Sequence, residues 1–427
     1  MWSKIFVLFF GISFFHFTFS QVENARKITE TLCSDTLYGR GYVNQGVNKA
    51  ANFIKNEYKK VGLSPFFGDT SYFQFFTFDV NSFPGKIEVK DKEKTYKPGI
   101  DYLINQYSGS YSGQLKLYEL DSITIFNLKQ NLQHIVDIVQ NGESNSFLID
   151  LTAFSSKNHQ KISQIGYELA NLVPVVLLSD DKLIWSVARQ QLPFPIITFK
   201  KEIFTNNHLS VTVEAELLEG FESKNVVGYV PAKKNPHKAK SIVFTAHYDH
   251  LGMMGTSPSP TLFPGGNDNA SGTTMLISLA EYFAKNPSKY NIIFMAFAGE
   301  EAGLLGSKYF VESKELELSQ IEFLINLDIM GSGEDGVAIV NGQIFQKHFE
   351  ELSKINDKNG YLKDIKARGE AANSDHWYFY EAGVPSIFIY TIGLNKNYHD
   401  VDDTYEALSF AAYNNIVQLL IDFVKTF

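Results

Sequence analysis

Short apolar runs recur at intervals along the second half of this chain. Ile242–Ala246, Ile292–Ala298, Phe323–Leu327 and Val384–Tyr390 are rich in Ile, Val and Phe, and continuous rather than alternating. Such runs predict strands buried on both faces, and the helix-like segments between them predict crossovers. The fold class expected is therefore α/β: a mixed, mainly parallel, twisted sheet flanked by helices. Asn225–Val230 opens this sheet, and an amphipathic pattern from about Tyr405 to Phe427 predicts a closing helix. Upstream, Val47, Ala50, Ala51, Ile54, Tyr58 and Val61 fall on one helical face, with Lys55, Glu57, Lys59 and Lys60 mostly off it. That spacing predicts a helix docked on the sheet by its apolar side.

Between Ser82 and Phe221 the pattern changes. The runs Ile87–Val89, Phe147–Asp150, Val173–Leu178 and Pro195–Phe199 are joined by polar loops, which predicts a smaller β-rich inserted domain with its own core. The chain then divides into a leader (1–20), an N-terminal helical part of the main domain (21–81), the insert (82–221) and the rest of the main domain (222–427). In the leader, Lys4 precedes the apolar stretch Ile5–Phe15, and small residues Thr18 and Ser20 flank Phe19. This reads as a secretory signal cleaved after Ser20, so the protein is expected to be exported to a periplasm or secreted. Cys33 is the one cysteine among 427 residues, so no intramolecular disulfide forms. The formal charge of −9, without a long basic run, argues against nucleic acid and against an anionic membrane surface as partners. With the leader removed, no stable membrane insertion is expected.

Imidazoles and carboxylates stand where the apolar runs stop. His247, Asp249 and His250 follow the first, Glu300 and Glu301 the second and Asp328 the third; Asp268 lies within Gly266–Gly272, and His399 follows Tyr398. Open α/β sheets bind ligands at the carboxyl ends of their strands, so the fold would gather these groups on one edge. Crowded carboxylates repel and are costly to desolvate unless a cation sits among them. Five candidate ligands, His247, Asp268, Glu301, Asp328 and His399, exceed what one tetrahedral ion with an open position requires. If Asp268 bridges, they divide into two metal sites, each with one His, one terminal carboxylate and the shared Asp. Imidazole and carboxylate without thiolate suit zinc, with cobalt or manganese able to substitute. Glu300, beside a ligand, is free to move the proton of an activated water. Each motif alone is weak, since Glu300-Glu301 also fits a surface pair compensating a helix dipole; their joint order carries the reading. His250 reads as a supporting or surface histidine rather than a ligand. Asp400, Asp402 and Asp403 read as loop solvation, with Asp403-Thr404 capping the last helix.

From Asn225 to the C-terminus these motifs resemble, in order, those of metallopeptidase family twenty-eight, the co-catalytic dinuclear zinc aminopeptidases. The resemblance implies that His247 and Asp328 hold one zinc, that Glu301 and His399 hold the other, and that Asp268 bridges them. It further implies Glu300 as general base, Asp249 as the carboxylate that orients His247, a cis Asp268–Asn269 peptide, and Ser374, Asp375 and His376 lining the substrate site. The segment around Gly39-Arg40-Gly41 resembles the N-terminal part of family members, and the insert's position resembles that of a protease-associated domain. The activity implied is hydrolysis of N-terminal peptide bonds in peptides with a free amino terminus. Nearby basic residues, chiefly Lys308, Lys366, Arg368 and Lys396, are too scattered to clamp a substrate carboxylate. Tyr390, Ile392 and Leu394 are candidates for an apolar pocket. Three alternatives stand beside this reading: a single-zinc glutaminyl cyclase, a carboxypeptidase of acidic dipeptides, and a non-catalytic, receptor-like binding protein.

Overall fold

A computed structural model describes residues 22–68, 70–142 and 144–427. The leader and its cleavage point after Ser20 lie outside the described residues. Ser241–His247 occupies the middle of a nine-stranded mixed sheet among the described residues. It runs parallel to Asn291–Phe297 on one side and to Ile321–Leu327 on the other. Ile321–Leu327 in turn runs parallel to Ser386–Ile392. Antiparallel strands close both flanks: Gly336–Val340 beside Ser386–Ile392, and Glu216–Val230 beside Asn291–Phe297, with Phe73–Ser82 paired along Glu216–Val230.

Every residue of Ser241–His247 is buried, and the alternation of the strand decides which layer each one enters. Ile242, Phe244 and Ala246 join the larger core, built with the helix at 22–32 and with Gly46–Val61, Gly272–Lys285 and Tyr413–Val424. Val243 joins the smaller core on the opposite face, with Phe310 of helix Leu305–Ser313 and Phe379 of helix His376–Glu381. Helix Gly46–Val61 buries Val47, Ala50, Ala51, Ile54 and Tyr58, the face that the spacing predicts. It stops at Gly62, whose φ of 90° suits glycine and whose N–H donates to the Tyr58 and Lys59 carbonyls. The last parallel strand begins two residues later than its apolar run, because Pro385 has no N–H for the ladder.

Two expectations are corrected here. The closing segment is not one helix: a single turn at Tyr405–Ala407 is separated from helix Tyr413–Val424. Between them Phe410, with φ of 54°, packs against Tyr405 and Tyr413, so tertiary packing breaks a pattern that reads as continuous. In the insert, the polar connections contain helices Leu128–Gln140 and Ser156–Leu169. Their buried Ile135, Ile138, Ile162 and Leu169 are diluted by Lys, Gln, Asn and His, which hides the helical period in the sequence.

Among the described residues the insert carries its own seven-stranded sheet, in which Tyr111–Glu119, Ser146–Asp150, Val175–Ser179 and Ile196–Lys200 are parallel. On one face Phe147, Ile149, Val175 and Leu177 meet the two helices. On the other, Leu148, Val176, Leu178 and Ile197 share a core with Trp185 and with Leu251, Met254 and Phe263. Those last three belong to the segment after His247, with Phe263 in a short strand paired to Gly252–Met253, so the insert's inner face is completed by the main domain. Among the described residues no helix is long and apolar enough to cross a membrane.

Candidate metal centre

The chain order places a switch point at the end of the central strand. After Ser241–His247, the next parallel strand adds on one side and the following one adds on the other. A crevice opens where strand order reverses in this way. His247 is the last residue of the central strand, Glu300 and Glu301 follow its neighbour Asn291–Phe297, and Asp328 follows Ile321–Leu327. Asp268 comes from the turn that leads into helix Gly272–Lys285, and His399 from the loop after Ser386–Ile392.

His247 Nε2 lies 3.2 Å from Asp268 Oδ1 and 3.3 Å from Asp328 Oδ1. His399 Nε2 lies 3.1 Å from Asp268 Oδ2 and 3.2 Å from Glu301 Oε2. The two oxygens of Asp268 thus face different imidazoles. Charge-assisted hydrogen bonds are shorter, about 2.7–2.9 Å. Ligand atoms held about 2.0–2.1 Å from a tetrahedral ion, by contrast, sit about 3.3 Å from one another. The four distances match the second geometry. Asp328 Oδ1 is buried and has no hydrogen-bond partner among the described residues, as expected of an atom reserved for an ion. Nitrogen and oxygen donors without sulfur complete the fit to zinc or a similar divalent cation.

The outer nitrogens settle the tautomers. His247 Nδ1 is 3.2 Å from the Asp249 carbonyl, and His399 Nδ1 is 2.9 Å from the Trp185 carbonyl. A ring nitrogen facing a carbonyl carries the hydrogen, which leaves Nε2 of the neutral ring as the ligand atom. The Asp249 carboxylate stands 3.9 Å from His247 Nδ1, and it also accepts from the backbone N–H groups of Glu300, at 3.2 Å, and Glu301, at 3.3 Å. It holds the turn that aims both glutamates.

Ser374, Asp375 and His376 are fully buried and do not form an open wall. The Ser374 hydroxyl donates to Asp328 Oδ2 at 2.9 Å and accepts from Asn326 at 2.8 Å, while Asn326 accepts from Thr245 at 2.6 Å. A hydrogen-bonded chain therefore runs from the central strand to a candidate ligand. Neither the Asp375 oxygens nor the His376 nitrogens have a partner among the described residues. Burial pushes Asp375 up to about 6 and His376 down to about 4. Of the pocket candidates, Tyr390 accepts from Arg368 at 2.7 Å, Ile392 pairs with Gly336 in the sheet, and Leu394 is exposed.

Two supports, Arg40 and Asp403, escaped the sequence reading. Arg40 is fully buried, and its five N–H groups all meet carbonyls: Tyr248 at 2.8 Å, Leu32 at 2.9 Å, Pro264 at 2.6 Å, Gly265 at 2.7 Å and Asp268 at 3.3 Å. The flanking glycines were the available signal, since a Cβ on Gly39 would lie 2.5 Å from the Phe263 carbonyl and one on Gly41 2.4 Å from Gly252 Cα. Asp403 does not cap the last helix. Fully buried, it accepts from the backbone N–H groups of Asn267 and Asp268, both at 3.0 Å, and burial raises its carboxyl to about 7. His250 is likewise buried rather than superficial, with Nδ1 2.8 Å from Glu301 Oε1. The Asp268–Asn269 peptide is cis, and the Asn269 side chain ties that turn to Leu327 and Ile329 on either side of Asp328.

Opposed charges set the protonation of the centre. Burial works against charge on His247, but Glu300, Asp328 and Asp268 outweigh it and hold the ring well above its ordinary range. For His399, Glu301 and Asp268 overcome burial and carry it up to about 11. Glu301 falls to about 2 despite burial, drawn down by His399. Burial pushes Glu300 well up, against the pull of His247 and helped by Glu301, Asp375 and Asp328.

Residues 225–424 match peptidase family M28. Over 240 residues the chain is 32% identical to aminopeptidase YwaD of Bacillus subtilis (strain 168), which covers 52% of this chain and 49% of that protein. Over 108 residues it is 36% identical to a probable zinc metalloprotease of Pyrenophora teres f. teres, covering 25% and 22% of the two chains. The chain spans about half, or less, of the length of these curated relatives. Among solved structures, the zinc aminopeptidase BSAP from Bacillus subtilis superposes with a TM-score of 0.67 at 21% identity, over 95% of this chain and 94% of that one. The aminopeptidase from Aneurinibacillus sp. strain AM-1 gives 0.63 at 19% identity, over 95% and 93%. At these identities the two structures establish a common fold, and coverage of 95% takes in both sheets.

Proposed function

We propose, for a chain whose residues 225–424 belong to peptidase family M28, a zinc-dependent aminopeptidase that hydrolyses the first peptide bond of substrates with a free amino terminus. The observation that carries this reading is Asp268, whose two oxygens stand at ligand-to-ligand spacing from two different imidazoles. His247, Asp268 and Asp328 would hold one ion, and His399, Asp268 and Glu301 the other, with cobalt or manganese able to replace zinc. Two such ions, when bound, supply the positive charge that makes a water acidic near neutral pH and polarises a scissile carbonyl.

The chain's own groups do the rest. Glu300 takes a proton from the attacking water and passes it to the leaving nitrogen as the C–N bond breaks, and a carboxylate held above its ordinary range suits that exchange. Asp249 keeps Glu300 aimed through its backbone N–H. Asp268, Glu300, Glu301 and Asp328 favour a substrate amine, and Arg40, the buried cation beside them, has no N–H left for a substrate carboxylate. Export through the leader and a protease-associated character for residues 82–221 belong to the same proposal.

A panel of aminoacyl chromogenic substrates tests it, run beside an N-terminal glutamine peptide, an N-acetylated peptide and a C-terminally amidated one, with chelator and with added zinc. Blocking the amine is expected to abolish cleavage, and amidating the carboxyl end to leave it intact. Turnover of the acetylated peptide that requires its free carboxylate would favour a carboxypeptidase. Cyclisation of the glutamine peptide by protein limited to one zinc would favour the cyclase.

A further inference from the structure

The two imidazoles of the centre are braced from very different places. His247 leans on Asp249, two residues away, whereas His399 leans on Trp185, which lies 214 residues earlier within the insert. The contact is reciprocal: His399 Nδ1 donates to the Trp185 carbonyl at 2.9 Å, and Trp185 N–H donates to the His399 carbonyl at 3.2 Å. His399 has a φ of 56°, a left-handed conformation that a non-glycine residue keeps only where its surroundings enforce it. Trp185 is itself anchored, with Nε1 donating to the Ile104 carbonyl at 2.8 Å and its ring stacked 4.7 Å from Phe263.

A second strap comes from the same segment. Lys182 Nζ reaches Asp400 at 2.8 Å and the carbonyls of Lys396 and Tyr398 at 2.6 and 3.5 Å, on both sides of His399. Val401 packs into the insert's core. There it crowds Gly99 so closely that a Cβ on that residue would lie 2.8 Å from Val401 Cγ1. These links between the insert and this loop bear on His399 and the residues around it. No insert side chain enters either triad of ligand atoms among the described residues.

We propose that the inserted domain is a positioning device for one half of the metal centre: the Trp185 main chain and the Lys182 side chain fix His399, so the ion held there depends on the insert and the ion at His247 does not. This rests on the metal reading above. Zinc titrations of the full chain against a competing chromogenic chelator test both layers. The parent is expected to take up two equivalents in two resolvable steps. Lys182→Ala should weaken one step about tenfold, the lower end of the about 10–100-fold range for supports of metal ligands, and leave the other within about twofold. The weakened step should be the one that His399→Ala abolishes. Lys182→Arg should restore most of the loss, and Trp185→Ala, which removes the anchoring of that main chain to Ile104 and Phe263, should act on the same step. Should Trp185→Ala fail to fold, the two Lys182 variants still decide. Equal weakening of both steps, or two unchanged steps in Lys182→Ala, would overturn the inference. A parent chain that binds fewer than two equivalents would instead refute the metal reading it rests on.

Discussion

His247 and Asp328 stand at the ends of adjacent parallel strands, Ser241–His247 and Ile321–Leu327, whose backbones are bonded to each other and to further strands on both sides. Glu301 and His399 stand on loops. The strand-end pair needs little beyond the Thr245–Asn326–Ser374 chain to aim it. The loop pair is held by His250, by the Asp249 carboxylate and by Trp185 and Lys182 of the insert. A sheet delivers side chains precisely because its ladder is already rigid, whereas a loop must be fixed by contacts made for that purpose. Asp268 belongs to both halves, and its turn is held by Arg40 and Asp403. Burying the Arg40 guanidinium costs several kcal/mol. Five hydrogen bonds from a charged donor, at about 1.5–3 kcal/mol each, are large enough to offset that cost.

The comparison can be broken at the shared residue first. Asp268→Ala removes the oxygens shared by both halves, so neither ion should be retained in a zinc titration and peptide cleavage should vanish. Retention of one ion at parental affinity would show that the halves are independent. Glu300→Gln should leave both binding steps in place and lower kcat by about 10²–10⁴, the usual contribution of a general base. Near-parental turnover by a fully loaded variant would assign that role elsewhere. Asp403→Asn touches the turn of Asp268 rather than either terminal ligand. It is expected to weaken both steps together, within the about 10–100-fold range for supports of metal ligands; a change confined to one step would place Asp403 in that half alone.

A smaller effect, at the His399 step, is read through pH. Each ion must displace an imidazole proton, so affinity falls as pH falls. An unperturbed imidazole, with pKa about 6.5, would stop contributing above that value. His399, held up to about 11 by Glu301 and Asp268, still carries its proton at pH 9, so affinity at its step should keep rising through pH 7–9 by about tenfold per unit. Competition titrations across that range check the slope, and a plateau above about pH 7 would contradict the charge balance described here.

Strand ends carried the most direct signal for the site, while Asp268 and His399 were marked by their motifs alone. An apolar run that stops at His247 or just before Asp328 announces both the strand and the edge at which its ligand emerges. Asp403 misled because an aspartate among polar loop residues looks the same whether it faces water or the backbone N–H of Asp268. Ser374 was associated with the site by its motif, yet its direction, inward onto Asp328, belongs to the packing of helix His376–Glu381 against the sheet. Trp185 offered no signal, because it contributes a carbonyl and an N–H that any residue possesses.

By itself the sequence determined the α/β class, the positions of the buried strands along the chain and the placing of imidazoles and carboxylates where those strands stop, since these follow from hydrophobic period and side-chain chemistry. Only the tertiary structure decided that Asp268 faces both imidazoles, that Arg40 and Asp403 hold its turn, and that the insert closes on the His399 loop. The reason is physical: periodicity reports which face of an element is buried, but not which distant backbone group will satisfy a buried donor or acceptor. That pairing comes from how the elements and the insert pack together.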